Sequence, residues 1–352
     1  MLSRIVVLVA LVGLSSAAER CCTASQYGYD LGCFNDNYPF DHLPLPECPC
    51  TLGGGCAANN QEYPHFDLYT RQNPNNRQTF DRETIPSNFV GSRTTHFLVH
   101  GWVNDRDTEW LLSMKDELLA LNNVNVVVVG WGDGAGRLNY AQSASNVRAT
   151  GAEIDQVARN LASNGGASHN RMWCIGHSLG GHTCGHAGQL TRFDRISGLD
   201  PAGPLFEGIE DDNVGLNENC ASFVDVIHTD GKERVDQYGT LRVLGHFDFY
   251  PNAAEIQPGC NDYKDDNDEF GFLGCSHGRA VEYFEISIHN DCFVAYEVCN
   301  NEYNIPASCF PCGGVCAHQG YYARDWYSGR NEKFYLITSD GDGQTPPYYC
   351  LG

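Results

Sequence analysis

The clearest chemical signal in the sequence is a serine between two glycines, in the segment GHSLG at residues 176–180. The motif G-x-S-x-G follows an apolar stretch, Met172–Ile175, and precedes a helix-compatible stretch from Gly181 onwards. This context predicts a nucleophile elbow, a tight strand-to-helix turn whose flanking glycines let the backbone pass. Such a turn lifts the Ser178 hydroxyl clear of the sheet and places it at a helix N-terminus, where the helix dipole favours developing negative charge.

A serine hydroxyl is a weak nucleophile unless a base accepts its proton and a carboxylate orients that base. Behind a nucleophile elbow the chain order is serine, then acid, then histidine. The next carboxylate at a predicted strand end is Asp200, where Pro201 stops the strand. Asp194 and Asp225 are the alternatives, but we place Asp194 before the strand and Asp225 within one. We therefore expect Asp200 at the carboxyl edge of the sheet, where open α/β folds bind ligands.

The base is less well defined, because four histidines follow Asp200 in the chain. Spacing alone does not choose among His228, His246, His277 and His289. A single histidine is more often a surface or core residue than a catalyst. The residue types and their order therefore leave the choice of base open.

An oxyanion hole needs two backbone N–H groups that point at the tetrahedral intermediate. We expect one from Leu179, the residue after the nucleophile. The second should come from a turn after an early strand. The segment FLVHGW at residues 97–102 ends such a strand in a His-Gly-aromatic turn, so Trp102 is the predicted donor. Trp102 could instead be an aromatic side chain packed beside the pocket, and the two roles are compatible.

From about residue 64, short apolar runs alternate with longer helix-like stretches. Runs of four to six β-branched or aromatic residues separated by helices indicate parallel βαβ units. The continuously apolar run Val126–Val129 is typical of a strand buried on both faces of the sheet. We therefore predict an α/β-hydrolase fold, with a mostly parallel central sheet flanked by helices and cross-linked by disulfides. The predicted strands are 97–100, 124–129, 172–175, 195–199 and 223–227, and the predicted helices are 110–121 and 145–161.

The first 18 residues have the order of a secretory signal peptide. A basic start precedes an apolar run at 5–14, which is too short to span a bilayer, and Ser16 and Ala18 suit a cleavage site. An uncleaved N-terminal anchor is the alternative. We expect residues 1–18 to be removed, residues 19–60 to form a cysteine-rich arm, and residues 61–352 to form the catalytic domain. This organisation predicts a secreted, extracellular protein without an integral membrane anchor.

The chain has 17 cysteines, which indicates disulfides formed in an oxidising compartment. Because the number is odd, at least one thiol should lie outside a disulfide. Cys174, within an apolar strand, is the best candidate for that thiol. A zinc site at Cys309, Cys312 and Cys316 is an alternative that secretion argues against. We predict no metal and no cofactor.

The charge of the chain is strongly acidic. It has 22 lysines and arginines against 44 aspartates and glutamates, a net charge of −22. This balance argues against a basic patch for nucleic acid and predicts weak attraction to anionic lipid headgroups. We interpret the acidity as a feature that keeps a secreted protein in solution.

Further short motifs follow one another from residue 31 to residue 312. They are LGCF at 31–34, NPNN at 73–76, FLVHGW at 97–102, GHSLG at 176–180, GLDPA at 198–202, VDVIHTD at 224–230, GHFDF at 245–249, PGC at 258–260, CSH at 275–277 and CFPC at 309–312. In this order they resemble the pancreatic lipase family of animal secreted lipases and phospholipases A1. The resemblance implies a catalytic triad of Ser178, Asp200 and His277, the histidine two residues after Cys275. It also implies the disulfides Cys260–Cys275, Cys299–Cys309 and Cys312–Cys316.

Compared with the family's digestive lipases, the sequence ends at Gly352, without a β-sandwich domain after the catalytic one. That domain binds their protein cofactor, so we expect no colipase partner. The lid between Cys260 and Cys275 has only 14 residues, which resembles the family's phospholipases A1. The preceding loop, 231–244, is closer to the longer form of its lipases, so the two loops disagree about the substrate.

The family's calcium site also looks altered. Asn217 and Cys220 stand where the family often has aspartates, which speaks against calcium binding. A cysteine at this place also allows a Cys184–Cys220 disulfide.

Together these features predict a secreted serine carboxylic-ester hydrolase that acts on lipid esters at a lipid–water interface. It would be a triacylglycerol lipase or a phospholipase A1 that forms an acyl-enzyme on Ser178. The alternative is a catalytically weak or inactive member of the same fold, a lipid-binding or yolk-like protein. Such proteins replace the serine, the aspartate or the histidine, whereas this sequence keeps all three.

Overall fold

A computed structural model of the chain describes residues 22–23, 33–34, 64–136, 138–207, 214–231, 237–260, 274–291, 293–297, 316–329 and 331–338. The predicted signal peptide, most of the cysteine-rich arm and lid residues 261–273 lie outside the described residues. So do Cys299, Cys309 and Cys312. Two short strands of the arm are described, β1 (Cys22–Thr23) and β2 (Cys33–Phe34), and they pair antiparallel.

The central element is a β-sheet of eleven strands within the described part of the chain. Their bounds are β3 (His65–Tyr69), β4 (Gln78–Phe80), β5 (Thr95–Val99), β6 (Asn125–Gly130), β7 (Met172–His177), β8 (Phe193–Leu199), β9 (Ala221–Ile227), β10 (Phe247–Pro251), β11 (Val294–Glu297), β12 (Cys316–His318) and β13 (Glu332–Leu336). The strand order is β12-β11-β13-β10-β9-β8-β7-β5-β6-β3-β4. All neighbours from β13 to β6 are parallel, whereas the pairs at both edges are antiparallel. The predicted α/β-hydrolase fold with a mostly parallel sheet is confirmed.

Helices cover both faces of this sheet, as strand burial on two sides requires. One face is packed by α3 (Tyr140–Ser163) and α4 (Leu179–Leu190), and the other by α1 (Glu109–Leu121) and α5 (Cys275–His289). The short helix α2 (Gly132–Ala135) lies before α3. Within the described residues, no helix is both long enough and apolar enough to cross a bilayer.

The two cores follow from the alternation of side chains along each strand. On β5, Phe97 and Val99 point into the core under α3 and α4, while Leu98 points into the core under α1 and α5. Burial of each such side chain contributes about 1.5–3 kcal/mol to folding. Because alternate residues face different cores, a central strand such as β6 is apolar at successive positions, Val126–Val129.

The residues that directly follow the parallel strands all lie at the same edge of the sheet. His100 follows β5, Ser178 follows β7, Asp200 follows β8 and His228 follows β9. The chain therefore brings the predicted chemistry together through topology, although these residues are far apart in sequence.

Candidate active site

Ser178 lies on the sharp turn between β7 and α4. Its φ of 58° and ψ of −123° are unusual for a residue with a side chain, as expected for a strained nucleophile turn. The turn requires glycine on both sides. A Cβ on Gly176 would lie 2.2 Å from the Gly180 carbonyl oxygen, and one on Gly180 would lie 2.1 Å from the Val99 oxygen. The backbone N–H of Ser178 donates to the Leu199 carbonyl at 3.0 Å and ties the turn to β8.

The side chain of His277 lies beside the carboxylate of Asp200, and both are fully buried. The Nδ1–H of His277 donates to Asp200 Oδ2 at 2.6 Å. Because Nδ1 carries the proton in this bond, Nε2 is available to accept one. Among the described residues, His277 Nε2 has no hydrogen-bond partner. The pair can therefore act as an oriented base for the Ser178 hydroxyl, whose hydrogen bond to the base would form in the substrate complex.

The second oxygen of Asp200 is held by the backbone after β9. Asp200 Oδ1 accepts from the N–H of Thr229 at 2.8 Å and from the N–H of Asp230 at 3.2 Å. Gly239 packs directly against the same carboxylate, where a Cβ would lie 2.4 Å from both oxygens. Both oxygens of the buried carboxylate therefore have hydrogen-bond partners within the protein, as a buried polar group requires.

His177, the residue before the nucleophile, supports His277 from behind. Its Nε2–H donates to the His277 carbonyl oxygen at 3.0 Å, and the two rings lie 4.5 Å apart. Burial, reinforced by the neighbouring His277, lowers the pKa of His177 well below its ordinary value. His177 is therefore neutral and adds no charge beside the base. This residue could not be singled out from the sequence, because the second position of G-x-S-x-G carries no signal of its own.

The predicted oxyanion donors flank Ser178. Leu179 is the first residue of α4, so its N–H has no partner within that helix. Trp102 follows Gly101, which packs so closely on the nucleophile that a Cβ there would lie 2.7 Å from Ser178 Cβ. The Trp102 ring also packs edge-on against Tyr140 at 5.2 Å, so it has the packing role that the sequence left open.

His100 fixes the turn that carries Gly101 and Trp102. Its Nε2 accepts from the N–H of Trp131 at 3.2 Å, so Nδ1 carries the proton and donates to the Gly101 carbonyl at 2.9 Å. The Trp131 indole in turn donates to the His100 carbonyl at 2.8 Å. Burial lowers the pKa of His100 to about 4, which keeps this tautomer neutral. This role of His100 could not be predicted from the sequence, which placed the residue only at the end of the predicted strand 97–100.

The rival carboxylates have other partners. Asp194 lies within β8, not before it as we expected, and pairs with Arg324 at 2.7 Å. Asp225 lies within β9, as expected, and pairs with Arg195 at 2.7 Å.

The remaining histidines are also engaged elsewhere. His228 pairs with Asp248 at 2.7 Å, His246 Nδ1 accepts from the Val224 N–H at 2.9 Å, and His289 pairs with Glu117 at 2.5 Å. Of the four candidates, only His277 contacts Asp200.

The disulfides correct two expectations. Cys174 is buried in β7 but is bonded to Cys184, so it is not the unpaired thiol. The tight turn at Ser178 folds α4 back along β7, which brings the two Cα atoms to 5.7 Å, within bridging distance. Cys220 therefore does not pair with Cys184, and is instead a buried thiol 3.9 Å from the Gly215 carbonyl oxygen.

The disulfide between Cys260 and Cys275 is present, as the resemblance implies. It joins the start of the lid segment to the start of α5, two residues before His277. Cys316 is also disulfide-bonded. Cys299, Cys309 and Cys312 lie outside the described residues, so the pairings predicted for them stay predictions.

In the described part of the chain, one group of side chains has metal-like spacing. It consists of Asp200, Asp230 and His277, whose ligand atoms lie within 4.8 Å of one another. The Asp200 oxygens and His277 Nδ1 already bond to each other and to backbone amides. Asn217 accepts from the N–H of Asn219 at 2.9 Å and so caps a short turn.

The chain is similar to known lipases over most of its length. The family model Lipase matches residues 24–343. "Pancreatic triacylglycerol lipase" of Myocastor coypus is 37% identical over 360 residues, which cover 94% of this chain and 74% of that protein. "Inactive pancreatic lipase-related protein 1" of Canis lupus familiaris is 35% identical, with 94% and 73% covered. Among solved structures, a putative hydrolase of the alpha/beta superfamily from Xanthomonas campestris pv. campestris is 15% identical, with a TM-score of 0.32 over 40% of this chain and 74% of that one.

Proposed function

Because this chain belongs to the lipase family, we propose that it hydrolyses lipid esters through an acyl-enzyme on Ser178. One observation carries the proposal: His277 donates Nδ1–H to Asp200 at 2.6 Å, while its Nε2 has no partner among the described residues. His277 Nε2 is therefore positioned to accept a proton from a hydroxyl. Ser178 lies at the end of β7, the neighbour of the strand that Asp200 follows.

In the first step, Ser178 Oγ attacks the acyl carbonyl while His277 Nε2 takes the hydroxyl proton. Asp200 stabilises the imidazolium that forms and keeps its ring in place. The oxyanion of the tetrahedral intermediate accepts from the N–H groups of Leu179 and Trp102, and the N-terminus of α4 adds favourable potential. His277 then gives its proton to the alcohol oxygen, which leaves with the glycerol part of the lipid.

In the second step, water replaces the alcohol. His277 Nε2 takes a proton from that water, and the hydroxide attacks the acyl carbon on Ser178. The second tetrahedral intermediate uses the same two N–H donors. Its collapse returns the proton from His277 to Ser178 Oγ and releases the fatty acid.

We propose triacylglycerol as the substrate class, because active relatives of this chain bear that name. Phospholipid is the second candidate, since the segment between Cys260 and Cys275 has only 14 residues. Both substrates are presented at a lipid–water interface, and both are cleaved at a carboxylic ester. We expect neither a colipase nor a nucleic acid as a partner.

The inactive alternative needs a direct test, because some relatives of this chain are named inactive. Ser178, Asp200 and His277 are all present here, and the Asp200–His277 hydrogen bond is formed. These facts favour an enzyme over a lipid-binding protein without activity.

We further propose that the protein is exported after removal of residues 1–18, with a mature chain that begins at Glu19. The apolar run at 5–14 and the disulfides Cys174–Cys184 and Cys260–Cys275 support an oxidising destination.

The experiment expresses the full chain in a secreting insect-cell host and recovers the protein from the medium. Its N-terminal peptide should begin at Glu19. Fatty acid released from emulsified triolein and from phosphatidylcholine vesicles is then measured for the wild type and for Ser178→Ala. We expect hydrolysis of triolein to be faster, and the substitution to lower kcat at least about 10³-fold.

Equal release by the wild type and a folded Ser178→Ala protein would contradict the assignment of the nucleophile. No release from either lipid by the folded wild type would favour the inactive alternative. Faster hydrolysis of phosphatidylcholine would replace triacylglycerol with phospholipid as the substrate class.

A further inference from the structure

A second buried histidine–aspartate pair lies next to the first. His228 directly follows β9, Asp248 lies in β10, and both are fully buried. His228 Nε2 lies 2.7 Å from Asp248 Oδ1, and His228 Nδ1 lies 2.6 Å from the Thr240 carbonyl oxygen. A carbonyl and a carboxylate can only accept, so both ring nitrogens of His228 have to donate. With Asp248 as a carboxylate, this hydrogen-bond pattern is that of an imidazolium–carboxylate ion pair.

The surroundings satisfy this pair, which a buried ion pair needs in order to be tolerated. Asp248 Oδ1 also accepts from the N–H of Leu244, and Oδ2 accepts from the N–H of Gly245, both at 3.0 Å. The ring of Tyr250 stacks on the His228 imidazole with centroids 4.5 Å apart and planes 8° from parallel. An aromatic face at that place favours a cation.

The pair anchors the backbone of residues 240–245, which lie close along the chain to Tyr238. Its carboxylate and imidazolium bond the backbone of Thr240, Leu244 and Gly245. Earlier in the same loop, the Tyr238 N–H donates to Asp230 Oδ2 and its ring lies 5.7 Å from that of His277.

The pair is also linked to the Asp200 carboxylate on two sides. Thr229 and Asp230, whose N–H groups hold Asp200 Oδ1, directly follow His228. Gly239, which packs on the Asp200 carboxylate, directly precedes Thr240. Thr229 and Asp230 thus lie within two residues of His228, and Gly239 is next to Thr240, whose carbonyl His228 bonds.

We propose that the His228–Asp248 ion pair is a positioning device for the catalytic carboxylate. It fixes the two backbone amides and the glycine that together set the place of Asp200, and so the direction of the His277 ring. Beyond the pair itself, its side-chain hydrogen bonds go to backbone groups of Thr240, Leu244 and Gly245, so it acts on the site through the backbone that holds Asp200. This inference rests on the proposed function of Asp200 and His277.

The kinetic test uses His228→Gln and Asp248→Asn with p-nitrophenyl butyrate, a soluble ester that needs no interface. We expect kcat to fall at least about tenfold with KM within about twofold, because a displacement of 1 Å at a catalytic group costs up to about 10²-fold. The proton resonance of His277 Nδ1–H, shifted downfield by its short bond to Asp200, should weaken or disappear.

Asp225→Asn is the matched control. It breaks the buried ion pair between Arg195 in β8 and Asp225 in β9, the strand that His228 follows. Asp225 lies on the face of β9 that carries Phe223 and Ile227. It should lower Tm by a similar amount but leave both kcat and the downfield resonance unchanged. An unchanged kcat in folded His228→Gln, or an equal loss in Asp225→Asn at equal Tm, would overturn the positioning role.

A neutron structure of the wild type tests the charge state without any variant. We expect a deuteron on both ring nitrogens of His228 at neutral pH, and a ring with only one would overturn the ion pair. This result and the downfield resonance do not depend on turnover. A wild type without esterase activity would therefore refute the proposed function while the test of the ion pair still gives an answer.

Discussion

At the scale of single residues, the turn that carries Ser178 depends on neighbouring glycines. Gly176 and Gly180 permit the turn at Ser178. Gly101 allows the turn after β5 to pack directly against the Ser178 side chain. Each is required because another backbone or the serine itself occupies the space of a Cβ. The motif G-x-S-x-G predicts the first two, but the contact of Gly101 with Ser178 depends on the neighbouring strand and is visible only in the fold.

Gly101→Ala should damage catalysis while leaving the protein folded. A methyl group there would lie 2.7 Å from Ser178 Cβ and 3.2 Å from Oγ, so the serine has to move. We expect kcat for a soluble ester to fall at least about tenfold, because catalytic groups tolerate little displacement. The measurement is steady-state hydrolysis of p-nitrophenyl butyrate.

Gly181→Ala is the control for that substitution. Its Cβ would meet only ordinary contacts, the nearest at 3.4 Å, and alanine is about 1 kcal/mol better than glycine inside a helix. It should keep kcat and raise Tm. A Gly101→Ala enzyme with wild-type kcat would show that the contact with Ser178 is relieved elsewhere.

At the scale of elements, strands and helices with continuous or periodic apolar residues could be predicted from the sequence. The predicted helix 110–121 is observed as Glu109–Leu121, and the predicted strand 223–227 as Ala221–Ile227. The helix predicted at 145–161 begins earlier, at Tyr140. Its first turns contain Gln142 and Asn146, polar residues that are buried through hydrogen bonds to each other and to Gly134. Polar residues of this kind give no periodic signal.

The antiparallel edge strands β3, β4, β11 and β12 were not predicted, because they have only three to five residues and mix polar with apolar side chains. The disulfide partner of Cys174 was also missed. A cysteine within an apolar strand is typical of a buried thiol, but the sharp turn at Ser178 returns Cys184 to it. Asp200 could be predicted from its strand end. His277 could be singled out only by resemblance, since it lies in the first turn of α5 and no strand end marks it.

At the scale of the whole molecule, several histidines are buried without charge. Burial lowers the pKa of His96 to about 3 and those of His100, His182 and His186 to about 4. The unfolded chain binds protons at these histidines with pKa values near about 6.5. Between roughly pH 6.5 and 4, unfolding therefore takes up protons, and stability falls as the pH falls.

We expect each of these histidines to remove about 1.4 kcal/mol of unfolding free energy per pH unit within that window. Glu153 acts in the opposite direction, because burial raises its pKa to about 7, so its contribution to stability grows as the pH falls from about 7. One carboxyl offsets only part of the effect of four histidines. Urea unfolding at pH 7.5, 6 and 5 measures the change. Stability that is constant or higher at pH 5 would contradict the neutral, buried state of these residues.

The central claim is that Ser178 is a nucleophile activated by His277. A fluorophosphonate that mimics an acylating lipid ester, followed by tryptic mass spectrometry, tests it most directly. The account predicts one label per chain, on Ser178, with loss of esterase activity in proportion to labelling. It also predicts at least about 10³-fold slower labelling in His277→Ala, because the hydroxyl then lacks its base. Inactivation with the label on another residue, or labelling of Ser178 at the wild-type rate without His277, would contradict the account.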